Sequence, residues 1–205
     1  MPRTAQANEK IRNQKKKLIL RKSLILFAKN GYSAVSIDDI AKACNISHGL
    51  LYHYFKTKED VFNYLINEMQ VRIDNLISQY DEEKPVESLT NLMGTLLNLL
   101  SSTEEPNMPA LIYIFLNMHA DNEIENKRNQ IFDFDRSNVN NFTMKIYRLI
   151  KSGQNKGLFV EGETRRLAYL LCSSILGLSL VAMKGHEYTE NFPTVDMIMK
   201  IVIKE

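Results

Sequence analysis

Glycine and proline are scarce in this chain, at eight and five of 205 residues. A β-rich fold with many tight turns needs more of both, whereas Leu, Ile, Lys, Glu and Asn are plentiful here. The composition therefore favours an all-α fold. The length is sufficient for one or two small domains with a sizeable core.

Cysteine is scarce as well. Cys44 and Cys172 lie far apart, which excludes a disulfide framework and a CxxC motif. The basic, polar N-terminus lacks the apolar segment of a signal peptide, so we expect a cytoplasmic protein. The chain also lacks a Gly-rich phosphate loop, a nucleophile elbow and a convincing metal-ligand cluster, so we predict no enzyme, cofactor or metal site.

Long apolar runs are limited too. Residues 167–183 form an uncharged segment that falls just short of a membrane span and is diluted by serine and glycine. A helix buried on most of its circumference fits this segment better, and a partner subunit could provide part of the cover. We therefore expect no membrane insertion.

Positive charge is concentrated at one end. Residues 1–60 contain 12 Lys/Arg and 5 Asp/Glu, a formal charge of +7, whereas residues 61–205 contain 14 and 19, a charge of −5. This asymmetry indicates contact with a polyanion, although a solvated tail explains a charge run equally well. Residues 1–17 are predicted to be a flexible basic arm, in which Lys15, Lys16 and Lys17 are candidate DNA contacts.

Three helix starts follow in quick succession. Ser36 with Asp39 and Thr57 with Asp60 have the spacing of capping boxes, and Ser47 is a third N-cap. Asn45, which tolerates a left-handed backbone, separates two of the short helices. Short helices joined in this way are typical of a helix-turn-helix.

The third of these helices shows an unusual distribution of side chains. We expect Leu50 and Leu51 to face the core and Phe55 to close the end. The remaining polar and aromatic residues then lie outside, where they could contact phosphates and base edges in a DNA major groove. A core that uses the same aromatics is the alternative. The outer residues are Ser47, His48, Gly49, Tyr52, His53 and Tyr54, and Lys58 at the next helix start could bind a phosphate.

The stretch "ILFAKNGYSAVSIDDIAKACNISHGLLYHYFKTKEDVF" closely resembles the DNA-binding domain of the tetracycline-repressor (TetR) family of bacterial transcription regulators. The resemblance implies a helix-turn-helix domain over residues 18–65 and a helical ligand-binding and dimerisation domain over residues 66–205. Asn45 stands where the family usually has Gly. By position, the residues matching family DNA contacts are Ser36, Ser47, His48, Gly49, Tyr52, His53, Tyr54 and Lys58.

The resemblance also implies a dimer and a ligand for the C-terminal part. The last long helices of the family pair as a four-helix bundle, which would place Leu167, Leu170, Leu171, Ser174, Gly177 and Leu178 at the interface. The candidate contacts for a small, largely apolar ligand are Met93, Leu97, Tyr113, Asn117, His119 and Tyr147, although an ordinary bundle core would use most of the same residues.

These features predict a homodimeric repressor that binds a palindromic DNA operator and is released by a small molecule. A non-specific architectural DNA-binding protein that relies on its basic arm is the alternative.

Overall fold

The computed structural model describes residues 5–117 and 141–204. Within these ranges β structure is limited to an antiparallel bridge between Phe159 and Ile203, which confirms the all-α prediction. A 3₁₀ helix, His186–Asn191, precedes the last α-helix. The α-helices are α1 (Ala5–Asn30), α2 (Ile37–Ala43), α3 (His48–Tyr54), α4 (Lys58–Ile77), α5 (Pro85–Ser101), α6 (Met108–Asn117), α7 (Asn141–Asn155), α8 (Thr164–Ala182) and α9 (Val195–Met199).

The first helix is longer than the sequence indicated. A flexible arm was predicted over residues 1–17, whereas α1 begins at Ala5, so residues 5–17 are helical. This stretch contains no Gly or Pro and is rich in Ala, Gln, Lys and Arg, which are good helix formers. It continues directly into the part of α1 that is anchored in the core from Ile19 onward. The high charge was therefore a poor indicator of disorder here.

The chain divides into two compact units between Glu68 and Met69, inside α4, whereas the sequence suggested a boundary at residue 65. In the first unit α1 packs against α2, and α2 packs against α3. Phe27 of α1 is 1% exposed and meets the edge of the Phe62 ring, with 5.7 Å between the centroids. Tyr32 joins this cluster at 4.8 Å from Phe62. These rings fix the loop that leads from α1 into α2.

The second unit is built around α5, which packs against α6, α7, α8 and α9. The face of α5 that carries Leu89, Leu92, Met93 and Leu96 is at most 1% exposed. Helix α8 also packs against α6 and α7. Burial of long amphipathic helices against one another supplies most of the stability of such a unit.

Helix α8 is long and apolar enough to cross a membrane by length and composition, as core helices of soluble proteins also are. Only 28% of its most apolar window is buried within the chain. We expected α8 to be buried on most of its circumference, and a single chain does not bury it to that extent.

Candidate nucleic-acid interface

The turn between α2 and α3 depends on one residue with a left-handed backbone. Asn45 has φ 51°. Its N–H donates to the Lys42 carbonyl at 3.0 Å, and the N–H of Ile46 donates to the Ala41 carbonyl at 3.1 Å. These bonds satisfy carbonyls at the end of α2, so the chain reverses within a few residues. Asn is one of the few residues besides Gly that adopt this conformation readily, which explains its place here.

Side-chain caps fix the starts of the short helices, as predicted. The Ser36 hydroxyl accepts from the Asp39 N–H at 3.2 Å, and the Asp39 carboxylate accepts from the Ser36 N–H at 3.0 Å. The Ser47 hydroxyl accepts from the Leu50 N–H at 3.2 Å. Before α4, Thr57 and Asp60 form the second reciprocal pair. Helices of seven residues need such caps, because they gain little from helix propagation.

Helix α3 has one buried side and one exposed side. Leu51 is fully buried and Phe55, just after the helix, is 6% exposed, as expected. Leu50 is 39% exposed, so the expectation that it faces the core is wrong. The exposed positions on α3 and its N-cap are Ser47, His48, Gly49, Leu50, Tyr52 and His53, while Tyr54 is half-buried.

The outer side of α3 is open at Gly49, whereas His48 beside it has contacts within the chain. A Cβ atom built on Gly49 would find nothing within 4 Å, so a DNA backbone can approach there. The His48 ring lies edge-on to the Tyr52 ring at 4.5 Å, and its Nε2 atom is 2.8 Å from Asp38 Oδ1 on α2. The sequence marked His48 and Tyr52 but did not reveal that Asp38 contacts the histidine.

Two predicted DNA contacts already have partners inside the chain. The Ser36 hydroxyl also donates to Asp39 Oδ2 at 2.6 Å. The Lys58 ammonium donates to the carbonyl of Tyr32 at 3.1 Å and to that of Val35 at 3.0 Å. It also lies 4.4 Å from the centroid of the Tyr32 ring. Lys58 therefore holds the loop before α2, a role that the sequence did not indicate.

The three lysines of α1 that were predicted to contact DNA differ in their surroundings. Lys17 is exposed, whereas Lys15 and Lys16 are half-buried. The Lys16 ammonium lies 4.0 Å from the centroid of the Tyr64 ring and 5.9 Å from that of Phe55, which are cation–π distances. Lys16 thus also braces the end of α3, while Lys17 is available for a phosphate.

Hydrogen bonding and burial shift the pKa values of several groups in the two units. The Tyr32 hydroxyl donates to Glu59 Oε1 at 2.7 Å, and this bond lowers the pKa of Glu59. Burial, followed by the contact with Glu59, raises the pKa of Tyr32. Burial raises the pKa of Cys44, and that of Cys172 to about 12, so both thiols stay protonated at neutral pH. Across residues 5–117 and 141–204, no group of three His, Cys, Asp or Glu side chains could hold a metal ion.

The structure describes the side chains of four of the six predicted ligand residues. Met93 and Leu97 belong to the core at 0% and 8% exposure, and Tyr113 and Tyr147 are half-buried. His119 and the side chain of Asn117 lie outside the described residues. A cleft of about 290 Å³ in the second unit has a different lining, formed by Met69, Arg72, Ile73, Asn75, Leu76, Gln79, Leu96, Leu99 and Met108. Its signal in the sequence is the apolar repeat along the second half of α4.

The predicted interface residues lie on different sides of α8. Leu170 is 48% exposed, and Gly177 is exposed with open space around its Cα. Leu171 is fully buried in its own chain, so its assignment to a dimer interface is wrong. Leu167, Ser174 and Leu178 are half-buried. Exposed residues recur at three- and four-residue spacing and form the α8 stripe, which comprises Tyr169, Leu170, Ser173, Gly177 and Leu180.

The first unit thus has the architecture of a helix-turn-helix DNA-binding domain. Residues 19–65 match the sequence model of the family described as bacterial regulatory proteins, tetR family. The match to the tetR family covers this N-terminal domain.

Individual relatives agree with this assignment. The chain is 39% identical over 75 residues to the uncharacterized HTH-type transcriptional regulator YuxN of Bacillus subtilis, a match that covers 35% of this chain and 26% of YuxN. It is 26% identical over 156 residues to the HTH-type transcriptional regulator QacR of Staphylococcus aureus, covering 75% of this chain and 78% of QacR. The first curated relatives are matched over only 26–40% of their length.

The likeness in fold extends over most of the chain. AibR in complex with isovaleryl coenzyme A and operator DNA superposes with a TM-score of 0.59 at 20% sequence identity. The match covers 91% of this chain and 94% of AibR. At this identity the comparison shows a shared fold, including the helical C-terminal part.

Proposed function

We propose that this protein is a cytoplasmic transcriptional repressor that binds a near-palindromic operator as a homodimer and is released by a small molecule. The capped helix-turn-helix carries the proposal, because it presents His48, Gly49, Tyr52 and His53 of α3 to solvent on one side. The tetR-family domain and the regulators among its relatives support the same function.

DNA recognition rests on the chemistry of that exposed side. Histidine and tyrosine offer hydrogen-bonding groups to base edges, and Gly49 allows close approach of a phosphate. The seven-residue length of α3 suits insertion into a major groove, about 12 Å wide. Lys17 and neighbouring cations of α1 would add sequence-independent attraction to phosphates.

Dimerisation rests on the α8 stripe. Tyr169, Leu170 and Leu180 are between 40% and 48% exposed on one helix, and no charged residue interrupts the stripe between them. Contiguous apolar surface of this kind marks an interaction site. Ser173 and Gly177 lie between the larger side chains, so a partner helix could approach closely. Two copies joined through this face would present two α3 helices to successive major grooves, about 34–36 Å apart.

Ligand control rests on the cleft of about 290 Å³. Met69, Ile73 and Leu76 make one wall apolar, whereas Arg72 supplies a charge that is paired with Glu105 at 2.7 Å. A small, largely apolar ligand would fit such a lining. The wall belongs to α4, whose first residues belong to the DNA-binding unit, so a ligand that prefers one position of α4 would shift the population that binds DNA.

The alternative is an architectural DNA-binding protein that relies on the basic α1 helix. The +7 charge of residues 1–60 favours it. It predicts a steep salt dependence with little preference among sequences. A repressor should instead discriminate its operator from other DNA by about a thousandfold or more.

One selection experiment separates the two functions. Fragments of the source genome would be bound to the purified protein at about 150 mM salt, where non-specific binding is weak, and sequenced. Recovery of one near-palindrome would support the homodimeric repressor. Fragments without a common motif would contradict it and favour the architectural protein, and removal of residues 1–17 should then abolish binding.

A further inference from the structure

An acidic residue lies on the side of the helix-turn-helix that would face DNA. Asp38 is the second residue of α2, and 62% of its side chain is exposed. A carboxylate at this position repels phosphates, so it lowers the affinity for every DNA sequence. Asp38 is not part of the capping box of α2, which Ser36 and Asp39 form, so helix capping does not explain its presence.

Asp38 contacts the first residue of α3. Its Oδ1 atom is 2.8 Å from Nε2 of His48, whose side chain is 49% exposed. An ionised carboxylate has no proton to offer, so its position beside Nε2 favours the tautomer that carries the proton on Nε2. The Tyr52 ring, 4.5 Å away and edge-on, restrains the imidazole from a second direction. The ring of His48 is thus held by a residue of α2 and by the next turn of α3.

This contact decides which imidazole atom remains for DNA. Because Nε2 lies 2.8 Å from the Asp38 carboxylate, Nδ1 is the ring nitrogen left for a base edge. In the neutral ring Nδ1 is an acceptor, which suits the exocyclic amino group of cytosine or adenine in the major groove. Without Asp38 the ring could rotate and present either nitrogen. His48 would then discriminate less between base edges that donate a hydrogen bond and base edges that accept one.

We propose that Asp38 is a specificity-determining positioning residue, which orients His48 for one base pair in each half-site and lowers affinity for all other DNA. This inference rests on the proposed DNA-binding function. A half-exposed pair such as this contributes little to stability, so a stabilising role does not explain why Asp38 stands at this position.

The test compares two variants of Asp38 in the full-length protein. Asp38→Ala removes both the charge and the acceptor, whereas Asp38→Asn removes the charge and keeps an oxygen that can accept from His48. Binding would be measured to the selected operator, to single-base-pair variants at every position of the half-site, and to unrelated DNA. Thermal unfolding and the oligomeric state would be recorded for each variant.

We expect Asp38→Ala to reduce base preference at one half-site position on the order of tenfold and to leave other positions unchanged. Asp38→Asn should keep most of that preference, and both variants should bind unrelated DNA more tightly. Equal changes at every position, or an unchanged preference in Asp38→Ala, would overturn the inference, as would equal loss of preference in Asp38→Asn.

Failure of the underlying function gives a different result. A wild-type protein that selects no motif overturns the repressor proposal and this inference with it. A wild type with a clear operator and an Asp38→Ala variant with the same base preferences overturns only the role of Asp38. His48→Ala should lose the same preference as Asp38→Ala, and a loss at another position would contradict the coupling of the two residues.

Discussion

The two units of this chain are stabilised at different length scales. The helices of the helix-turn-helix are seven residues long and begin at the side-chain caps Ser36 and Ser47. Helix α8, with 19 residues, begins without a side-chain cap and depends on packing against α5, α6 and α7. Short helices require local hydrogen bonds, whereas long helices can leave one face to a partner. The short helices of the first unit are therefore held by hydrogen bonds within the chain, whereas the second unit leaves the α8 stripe exposed.

The largest effect should come from the aromatic cluster of the first unit. Phe27→Ala removes a ring that is 1% exposed and contacts Phe62 and Tyr32. We expect a loss of about 3–5 kcal/mol in the free energy of unfolding, because the cavity cannot collapse fully. Urea unfolding followed by circular dichroism would measure it, together with operator binding.

A matched truncation at the surface serves as the control. Leu158 is 43% exposed in the second unit, so Leu158→Ala should change the free energy of unfolding by less than about 0.5 kcal/mol. If Phe27→Ala were as mild as Leu158→Ala, the cluster would not be what holds the first unit together.

The next effect concerns the face that the second unit leaves open. Leu170→Asp places a charge in the α8 stripe, where Leu170 is 48% exposed. We expect the dimer to weaken by about 2–4 kcal/mol, the range of a disrupted interface hot spot, while the monomer stays folded. Sedimentation velocity over a concentration series would report the change. An unchanged dimer dissociation constant would show that α8 is not part of the interface. The exposed face would then have a different partner, such as a lipid.

Leu171→Ala separates the interface from the core on the same helix. Leu171 is fully buried within its chain, so its truncation should lower the stability of the second unit by about 2–5 kcal/mol. The opposite pattern, with Leu171 controlling dimerisation and Leu170 controlling unfolding, would contradict the structure, in which Leu171 faces the core and Leu170 faces solvent.

The same contrast explains how much the sequence revealed. The caps at Ser36, Ser47 and Thr57 and the turn at Asn45 were predictable, because each involves residues at most five positions apart. The exposure of Leu170 and the burial of Leu171 could not be predicted, because which of two neighbouring leucines faces the core depends on how α8 is rotated against α6 and α7.

Contacts between distant positions were likewise beyond the sequence. The Lys58 ammonium meets the carbonyls of Tyr32 and Val35, more than twenty positions earlier. Asp38 meets His48 across the turn, and the cleft of about 290 Å³ combines α4 with α5 and the start of α6. Each depends on how helices approach one another, and the apolar pattern of a single helix does not determine that.

A smaller effect probes the local bonds of the first unit through pH. Tyr32→Phe removes the hydrogen bond to Glu59, which lowers the pKa of that carboxyl below its usual 4.5. We expect a loss of about 1 kcal/mol at pH 7, since the carboxylate is near the surface. The stabilisation is present above the unfolded-state pKa and disappears as pH falls through the lowered folded-state pKa.

Unfolding free energies of wild type and Tyr32→Phe would be compared from pH 7 down to about pH 3. The two curves should converge as the carboxyl is protonated in both proteins. Tyr52→Phe is the control, because it removes an exposed hydroxyl and should leave the pH dependence unchanged. A constant difference between wild type and Tyr32→Phe at all pH values would show that Glu59 ionisation is not involved.

The smallest effect distinguishes two adjacent lysines of α1. Lys17 is exposed, whereas Lys16 lies over the Tyr64 ring at 4.0 Å. If Lys17 neutralises one phosphate per subunit, Lys17→Ala should reduce the slope of log K against log salt by about 0.9 per subunit, equally for all sequences. Its stability should not change, because no core contact is lost. Lys16→Ala should also lower stability, by about 0.5–1 kcal/mol, through the lost cation–π contact. An unchanged salt slope in Lys17→Ala would mean that this turn of α1 does not reach DNA, and the excess positive charge of the first 60 residues would then act only through long-range attraction.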